Sequence, residues 1–317
     1  MIFDSESVFE DNVITVLKQH GWKDGVLRYP TEQDLLDNWK GILYRNNNDI
    51  DRLGKYPLTD GEMAQIIEQI ETLRTPLALN SFVNGRTVSI TRDNKEDVAH
   101  FGKEISLYIY DRKEIAGGKS TYQIAQQPVY PAKNKMLNSR RGDLVLLING
   151  MPLIHIELKK SGIPVSQATN QIEKYTHEGV FTGLFRLVQI FVAMNPDDAV
   201  YFANPGVDKF NPSYYFHWAD YNNEPICGGQ NPGKDEWKLF IGGTSGTAGL
   251  LSIPMAHQLI GFYTIADSAD GCLKVLRSYQ YIAANAISDV VRKCDWEQRP
   301  ATPGRPGGYV WHTTGSG

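Results

Sequence analysis

The sequence predicts an α/β fold with a mixed β-sheet core flanked by helices. Three observations predict it. First, the stretch 140–160 reads as two apolar strands joined by an Asn149-Gly150 turn. Second, a helix follows directly, opened by Pro164 and closed by Gly179. Third, two more apolar runs, 188–194 and 199–203, read as strands. The order strand, strand, helix, strand, strand combines a hairpin with a crossover, which gives a sheet of mixed direction.

Length and composition bound the rest. The 317 residues suffice for one large domain or two of ordinary size. Hydrophobic residues make up 41% and charged residues 21%, which excludes a disordered chain. No apolar run reaches the roughly 18–20 residues of a membrane span, and Met1-Ile2-Phe3-Asp4 lacks the basic and apolar regions of a signal peptide. Cys227, Cys272 and Cys294 are widely spaced and odd in number, with no metal-type spacing. Together these predict a cytoplasmic protein. The net charge of −4 gives no global support for nucleic-acid binding. Locally the balance reverses: Lys133, Lys135, Arg140, Arg141, Lys159 and Lys160 fall in one stretch whose acids are Asp143 and Glu157. Such a stretch is either a solvated basic loop or a phosphate-binding one.

Taken in order, residues 6–19 form an amphipathic helix, with Phe9, Val13, Val16 and Leu17 at helical spacing and Gly21 beyond its end. Glu10 lies beside that stripe. It either closes a Ser7-x-x-Glu10 capping box or presents a carboxylate to a site elsewhere. Residues 31–75 are mostly helical, most clearly over 62–74. Strands are expected over 77–83, 86–91, 105–110 and 122–125, with Asn84-Gly85 as a hairpin turn. On the helix after Pro164, Gln167, Gln171 and Tyr175 recur every four residues and share a face, which on spacing alone is a polar solvent face. The chain then becomes glycine-rich over 227–249, ending in a Gly/Thr/Ser/Ala run at 242–249. That run places a domain boundary at 250, dividing 1–250 from 251–317. Helices are expected over 255–266 and 273–293, then a short apolar strand at 309–311.

The central hairpin carries the chemistry. Asp143, Glu157 and Lys159 stand where core residues belong, and burying them is costly unless a metal or substrate charge pairs with them. Glu157 and Lys159 are two apart and share a face. A plain two-residue Asn149-Gly150 loop pairs Ile148 with Met151 and sets Asp143 opposite Ile156, on the wrong face. A shared site therefore requires an odd loop or a bulge in one strand. With the faces aligned, two carboxylates suit Mg²⁺ or Mn²⁺, and Lys159 suits an attacking water or a phosphorane. The structural alternative is a salt bridge at a strand end.

Asp143 followed by Glu157-Leu158-Lys159 resembles the signature of the PD-(D/E)xK nuclease superfamily. The wider stretch from Arg141 to Lys159 resembles the nuclease region of the R (restriction, motor) subunit of type I restriction enzymes. Gln171-Ile172-Glu173-Lys174-Tyr175 resembles that family's Gln-x-x-x-Tyr motif, and Phe9-Glu10 with Gly21-Trp22 resembles its N-terminal motif. The resemblance implies a restriction-endonuclease-like fold and a metal site of Asp143, Glu157 and Glu10, with Lys159 as the fourth catalytic residue. It makes Gln171, Tyr175 and Arg141 supports of the site or contacts to the DNA backbone. Double-stranded DNA would be the substrate, Mg²⁺ the cofactor, and methyltransferase (M) and specificity (S) subunits the partners, which would read the DNA site. One departure is Gly142, where the superfamily name implies proline.

The tail Thr313-Thr314-Gly315-Ser316-Gly317 resembles the start of a helicase-type Walker A loop, stopping before its Lys. Gln280 resembles the adenine-reading glutamine of superfamily 2 helicases. Gln280, Gly315, Ser316 and Gly317 are thus read as a truncated nucleotide site at the start of a RecA-like domain that uses ATP in the longer subunit. Without the Lys and the following helix the phosphate cradle is incomplete, and this chain alone is expected not to hydrolyse ATP. Lys209 is a candidate contact to that motor or its nucleotide. Two rival functions use the same fold: a non-catalytic DNA-clamping module, and a junction-resolvase-type nuclease.

Overall fold

A computed structural model describes residues 2–115, 117–131, 140–207, 209–229, 235–269, 271–293 and 310–311. Six strands form its central sheet, in the spatial order β1 (Val26–Arg28), β4 (Tyr122–Gln126), β5 (Leu144–Ile148), β6 (Met151–Leu158), β7 (Ile190–Met194) and β8 (Ala199–Ala203). β1 runs parallel to β4, and β6 parallel to β7; the remaining neighbours are antiparallel. Helix α5 (Val165–His177) is the crossover that a parallel β6–β7 pair requires. Every residue of β4 through β8 is buried. A sheet covered on both faces explains why these strands read as continuous apolar runs rather than alternating ones.

Helix α1 (Glu6–Gln19) covers one face. Ser5 caps it, accepting from the Val8 N–H at 3.3 Å, so the helix starts before Ser7 and the Ser7/Glu10 capping box does not form. Glu10 instead faces inward with Phe9, Val13, Ile14 and Leu17. Helices α2 (Glu32–Asn46) and α3 (Asp60–Thr72) fill the expected helical region, each opened by a Thr capping box. A separate hairpin of β2 (Thr87–Thr91) and β3 (Glu104–Tyr108) packs beside α3. It is anchored by Arg92, whose buried guanidinium bonds Glu62 at 2.6 Å and Asp97 at 3.0 Å.

Several elements differ from the sequence reading. Residues 77–83 are not a strand but lie in helix α4 (Pro76–Asn84). Thr75 caps it, Pro76 occupies its first turn, and Leu79 and Val83, four apart, are its buried face, so a helical period was hidden in a short apolar run. Asn84-Gly85 consequently ends a helix instead of turning a hairpin. Three-residue β1 is too short to carry a pattern. The expected helices 255–266 and 273–293 shorten to α7 (Met255–Phe262) and α8 (Ser278–Lys293), separated by a hairpin of β9 (Thr264–Asp267) and β10 (Cys272–Val275). Helix α6 (Glu236–Gly242) runs into the glycine-rich segment, which closes on itself through a bridge between Gly243 and Ala248. Trp237, Phe240, Leu250, Leu251, Leu259 and Val275 share one apolar cluster with Phe9, Trp22 and Ile156. Val310 and Trp311 form no strand; Tyr309 and the tail 312–317 lie outside the described residues. Among the described residues no helix is long and apolar enough to cross a membrane.

Candidate active site

The hairpin joining β5 and β6 turns through Asn149 (φ 52°) and Gly150 (φ 83°), with Ile148 opposite Met151. This is the two-residue loop, and both positions need the left-handed backbone that Asn and Gly tolerate best. A side chain at 150 would also strike the Trp39 backbone at 2.9 Å. The register then shifts. Leu147 faces Pro152, but Leu146 faces Ile154, leaving Leu153 as an extra residue in β6. This is the bulge that the parity argument required. Beyond it Leu144 faces Ile156, and continuing that register sets Asp143 opposite Glu157.

The two carboxylates accordingly share a face at the end of the sheet. Asp143 Oδ2 accepts the Leu158 N–H at 2.7 Å. Burial, then the neighbouring Glu157 charge, pushes the Asp143 carboxyl well above the usual range, against the Leu158 bond and Lys159. Glu157 is fully buried, and burial lifts its carboxyl to about 8 despite the opposing pull of Lys159. Lys159 Nζ stands 3.6 Å from Glu157 Oε1 and 3.6 Å from Glu6 Oε1. Glu157 Oε1 has no hydrogen-bond partner. Two carboxyls raised by burial, one of them further by the other's charge, and a buried carboxylate oxygen with no hydrogen bond and only the 3.6 Å ion pair to Lys159, describe a site that a cation would complete.

Glu10 approaches from α1. Its Oε1 accepts from Gln126 Nε2 at 2.6 Å, and Gln127 Nε2 donates to Oε2 at 3.2 Å. Burial raises its carboxyl, and these two amides pull the other way. The Gln127 N–H in turn donates to the Asp143 carbonyl at 2.7 Å. Glu10 is thus tied to the Asp143 strand. Among the described residues, however, no three His, Cys, Asp or Glu side chains gather closely enough to hold one ion together. The pair Asp143 and Glu157 is assembled; Glu10 stands beside it.

Helix α5 supports the same corner. Gln171 Nε2 donates to the Tyr175 hydroxyl at 2.7 Å, and that hydroxyl donates to the Arg141 carbonyl at 3.0 Å, two residues before Asp143. At Gln171 and Tyr175 the four-residue spacing therefore builds a bracket, while Gln167 on the same face is exposed to solvent. Arg141 is exposed, with its guanidinium 5.7 Å from the Tyr29 ring centroid. Arg140 pairs with Glu178 through two 3.0 Å bonds, and Lys160 Nζ donates to the Asp4 carbonyl at 3.3 Å. Lys133 and Lys135 lie outside the described residues.

The N-terminal family model of the type I restriction enzyme R protein matches residues 4–210, from α1 through the loop after β8. The chain belongs to this family. It is 30% identical, over its whole length, to the type I restriction enzyme SsaAORF53P endonuclease subunit of Staphylococcus saprophyticus. It is likewise 30% identical to the SauCOLORF180P endonuclease subunit of Staphylococcus aureus. In both cases the chain spans 29% of the relative's length. It is also 26% identical to the Escherichia coli type I restriction enzyme EcoprrI endonuclease subunit, across 98% of this chain and 99% of that one.

In this R-protein N terminus the Gly142 departure has a physical cause. A Cβ there would lie 2.5 Å from the Tyr130 hydroxyl and 2.9 Å from His155 Cε1. The space before Asp143 is filled by two polar rings that the sequence reading did not single out. His155 bonds Tyr130 Oη through Nδ1 at 2.9 Å and Glu157 Oε2 through Nε2 at 3.2 Å. Burial holds its imidazole down to about 4, so it is neutral near pH 7. Its signal was available: His155 is two residues before Glu157 and must share its face. Glu6, Gln126 and Gln127 were also missed. Glu6 lies one helical turn before Glu10, but the two glutamines carry no local signal.

Away from this centre, Gln280 Oε1 accepts the Arg277 N–H at 3.0 Å. Gln280 lines a cavity of about 250 Å³ together with Lys209, Arg277 and Phe216. Gly315, Ser316 and Gly317 lie outside the described residues.

Proposed function

We propose that this chain is the endonuclease part of a type I restriction motor subunit and cuts double-stranded DNA with Mg²⁺ at Asp143, Glu157 and Lys159. The observation that carries the reading is the bulge at Leu153, which turns Asp143 and Glu157 onto one face beside Lys159. Hard oxygen donors on a buried, electronegative site fit Mg²⁺ or Mn²⁺ and not a soft metal. When bound, the ion supplies an activated water and neutralises charge on the scissile phosphate. Asp143 and Glu157 would hold it, and the Leu158 N–H fixes Asp143. Lys159 orients the attacking water and stabilises charge on the phosphorane oxygens. Glu10, held by Gln126 and Gln127, would add a third carboxylate beside the pair. Gln171 and Tyr175 hold the Arg141 strand in place, and Arg141 is left for the DNA backbone.

The M and S subunits are the proposed partners and read the DNA site, which accords with the absence of a base-reading motif here. A superfamily 2 motor would follow, and the cavity at Gln280 is where its adenine would enter. The shared core through Val275 supports drawing the nuclease boundary after that residue instead of at 250. The proposed location is the cytoplasm, where DNA and ATP are found.

The test is Mn²⁺ binding to the wild type and to Asp143→Ala, with cleavage by the assembled enzyme in parallel. Loss of both in the variant supports the nuclease. Equal Mn²⁺ binding in the two proteins overturns it and leaves the DNA-clamping reading.

A further inference from the structure

His155 and Tyr130 sit behind Glu157 and belong to none of the roles above. His155 is fully buried, Tyr130 almost so, and the space around them is aromatic: Tyr175, Phe181 and Phe191 all meet the imidazole edge-on, with centroids 5.4–6.4 Å away. A buried imidazole in such a setting has one donor and one acceptor nitrogen. A bound cation requires Glu157 ionised, and in that state the carboxylate can only accept. The hydrogen therefore sits on Nε2 and points at Glu157 Oε2, 3.2 Å away. Nδ1 is left as acceptor, and the Tyr130 hydroxyl, 2.9 Å away, is the group that donates to it. With Glu157 ionised as a metal ligand, each hydrogen bond in the series has one possible direction. Gly142 keeps the space open, because any Cβ there would displace the Tyr130 hydroxyl.

The consequence falls on Glu157. Its Oε2 is engaged by His155, and its Oε1 is the oxygen without a hydrogen-bond partner, beside Lys159. We infer that Tyr130 and His155 are positioning residues that lock the Glu157 carboxylate so that it offers a divalent cation one oxygen, Oε1, and not two. Single-oxygen ligation suits Mg²⁺ and Mn²⁺, which hold near-octahedral shells. Ca²⁺ accepts bidentate carboxylates in larger, looser shells. The relay therefore selects for the smaller ions as well as strengthening their binding. This inference rests on the proposed metal role of Glu157.

The experiment titrates the 317-residue chain with Mn²⁺ by electron paramagnetic resonance and measures Ca²⁺ by competition. His155→Leu should weaken Mn²⁺ binding about 10- to 100-fold, the range for losing an outer partner of a metal ligand, with a smaller loss for Ca²⁺. His155→Gln keeps an N–H toward Oε2 and should restore Mn²⁺ binding to within about threefold of wild type. Tyr130→Phe should weaken Mn²⁺ binding in the wild-type background and do nothing in the His155→Gln background, because the amide no longer needs a tautomer fixed. This double-mutant comparison stands even if the Leu variant fails to fold. If Tyr130→Phe has the same effect in both backgrounds, or His155→Gln binds as weakly as His155→Leu, the relay is overturned. Asp143→Ala separates the two levels: wild-type binding lost in that variant with an unchanged His155→Leu sinks the relay alone, whereas equal binding by wild type and Asp143→Ala sinks the metal site itself.

Discussion

Replacing Glu157 with Gln should stabilise the metal-free protein, by an amount that grows with pH. The Glu157 carboxyl is fully buried, and burial lifts it from an ordinary 4.5 to about 8. Below about pH 4.5 it is neutral in the folded and the unfolded chain alike. Between there and about pH 8 the unfolded chain has released a proton that the folded chain keeps, so stability falls as pH rises. Above about pH 8 the loss is complete. At about 1.4 kcal/mol per tenfold change in acidity, the interval corresponds to roughly 5 kcal/mol. Gln has the same shape and no such cost. The assay is urea unfolding in EDTA at about pH 5 and about pH 8.5, with Glu157→Gln gaining roughly 3–5 kcal/mol over wild type at the higher pH and almost nothing at the lower. Asp143 and Glu10 also have raised carboxyls, so the difference between the two proteins, not the wild-type slope, reads Glu157, together with the part of the Asp143 shift that the Glu157 charge causes. Mn²⁺ should return stability to the wild type and not to the variant. Parallel pH profiles for the two proteins would refute the buried-carboxyl argument.

Three further outcomes follow from the same geometry. Lys159→Met should reduce cleavage by the assembled enzyme about 10²- to 10³-fold, the scale for losing one charge-stabilising donor, while Mn²⁺ binds at least as tightly because a neighbouring cation is gone. Weaker Mn²⁺ binding would show that Lys159 organises the carboxylates instead. Gly142→Ala should cost about 1–3 kcal/mol in thermal or urea unfolding, since its Cβ meets both Tyr130 and His155. Tyr130→Phe should recover part of that loss, because the 2.5 Å contact is to the hydroxyl. Tyr175→Phe breaks the link from Gln171 to the Arg141 carbonyl and should cost about 1 kcal/mol of stability. An unchanged unfolding midpoint would mean the bracket contributes nothing.

The sheet was legible because its strands are long and apolar, and because β6, α5 and β7 follow one another with clear start and stop residues. The flanking regions were less so. Leu77 to Val83 contains enough apolar residues to fit either period, and the cap that decides it, Thr75 with Pro76, precedes the run. The β9–β10 hairpin is only four residues a strand and lies between two helical patterns that blur across it. At the site, charged residues in an apolar strand announced themselves through the cost of burying them. Gln126 and Gln127 did not, because an amide that bonds Glu10 across the fold looks, in sequence, like any polar residue at the end of a strand. His155 could have been found by the two-residue period that linked Glu157 to Lys159.

The bulge shows how a functional requirement and a local one can be reconciled at a third place. Asn149-Gly150 favours a two-residue turn, and the turn pairs Ile148 with Met151. The metal-site reading requires Asp143 to face Glu157. No regular ladder satisfies both, since the two demands differ by one residue. The extra residue falls at Leu153, immediately after Pro152, and proline fits inside a strand where the ladder is already interrupted. The insertion leaves little unsatisfied: the Leu153 carbonyl accepts the Gln189 N–H at 2.9 Å, and its side chain is fully buried. A proline in a strand that is otherwise central was therefore the local mark of the offset. Read with the positions of Asp143 and Glu157, it locates the bulge as well as requiring it.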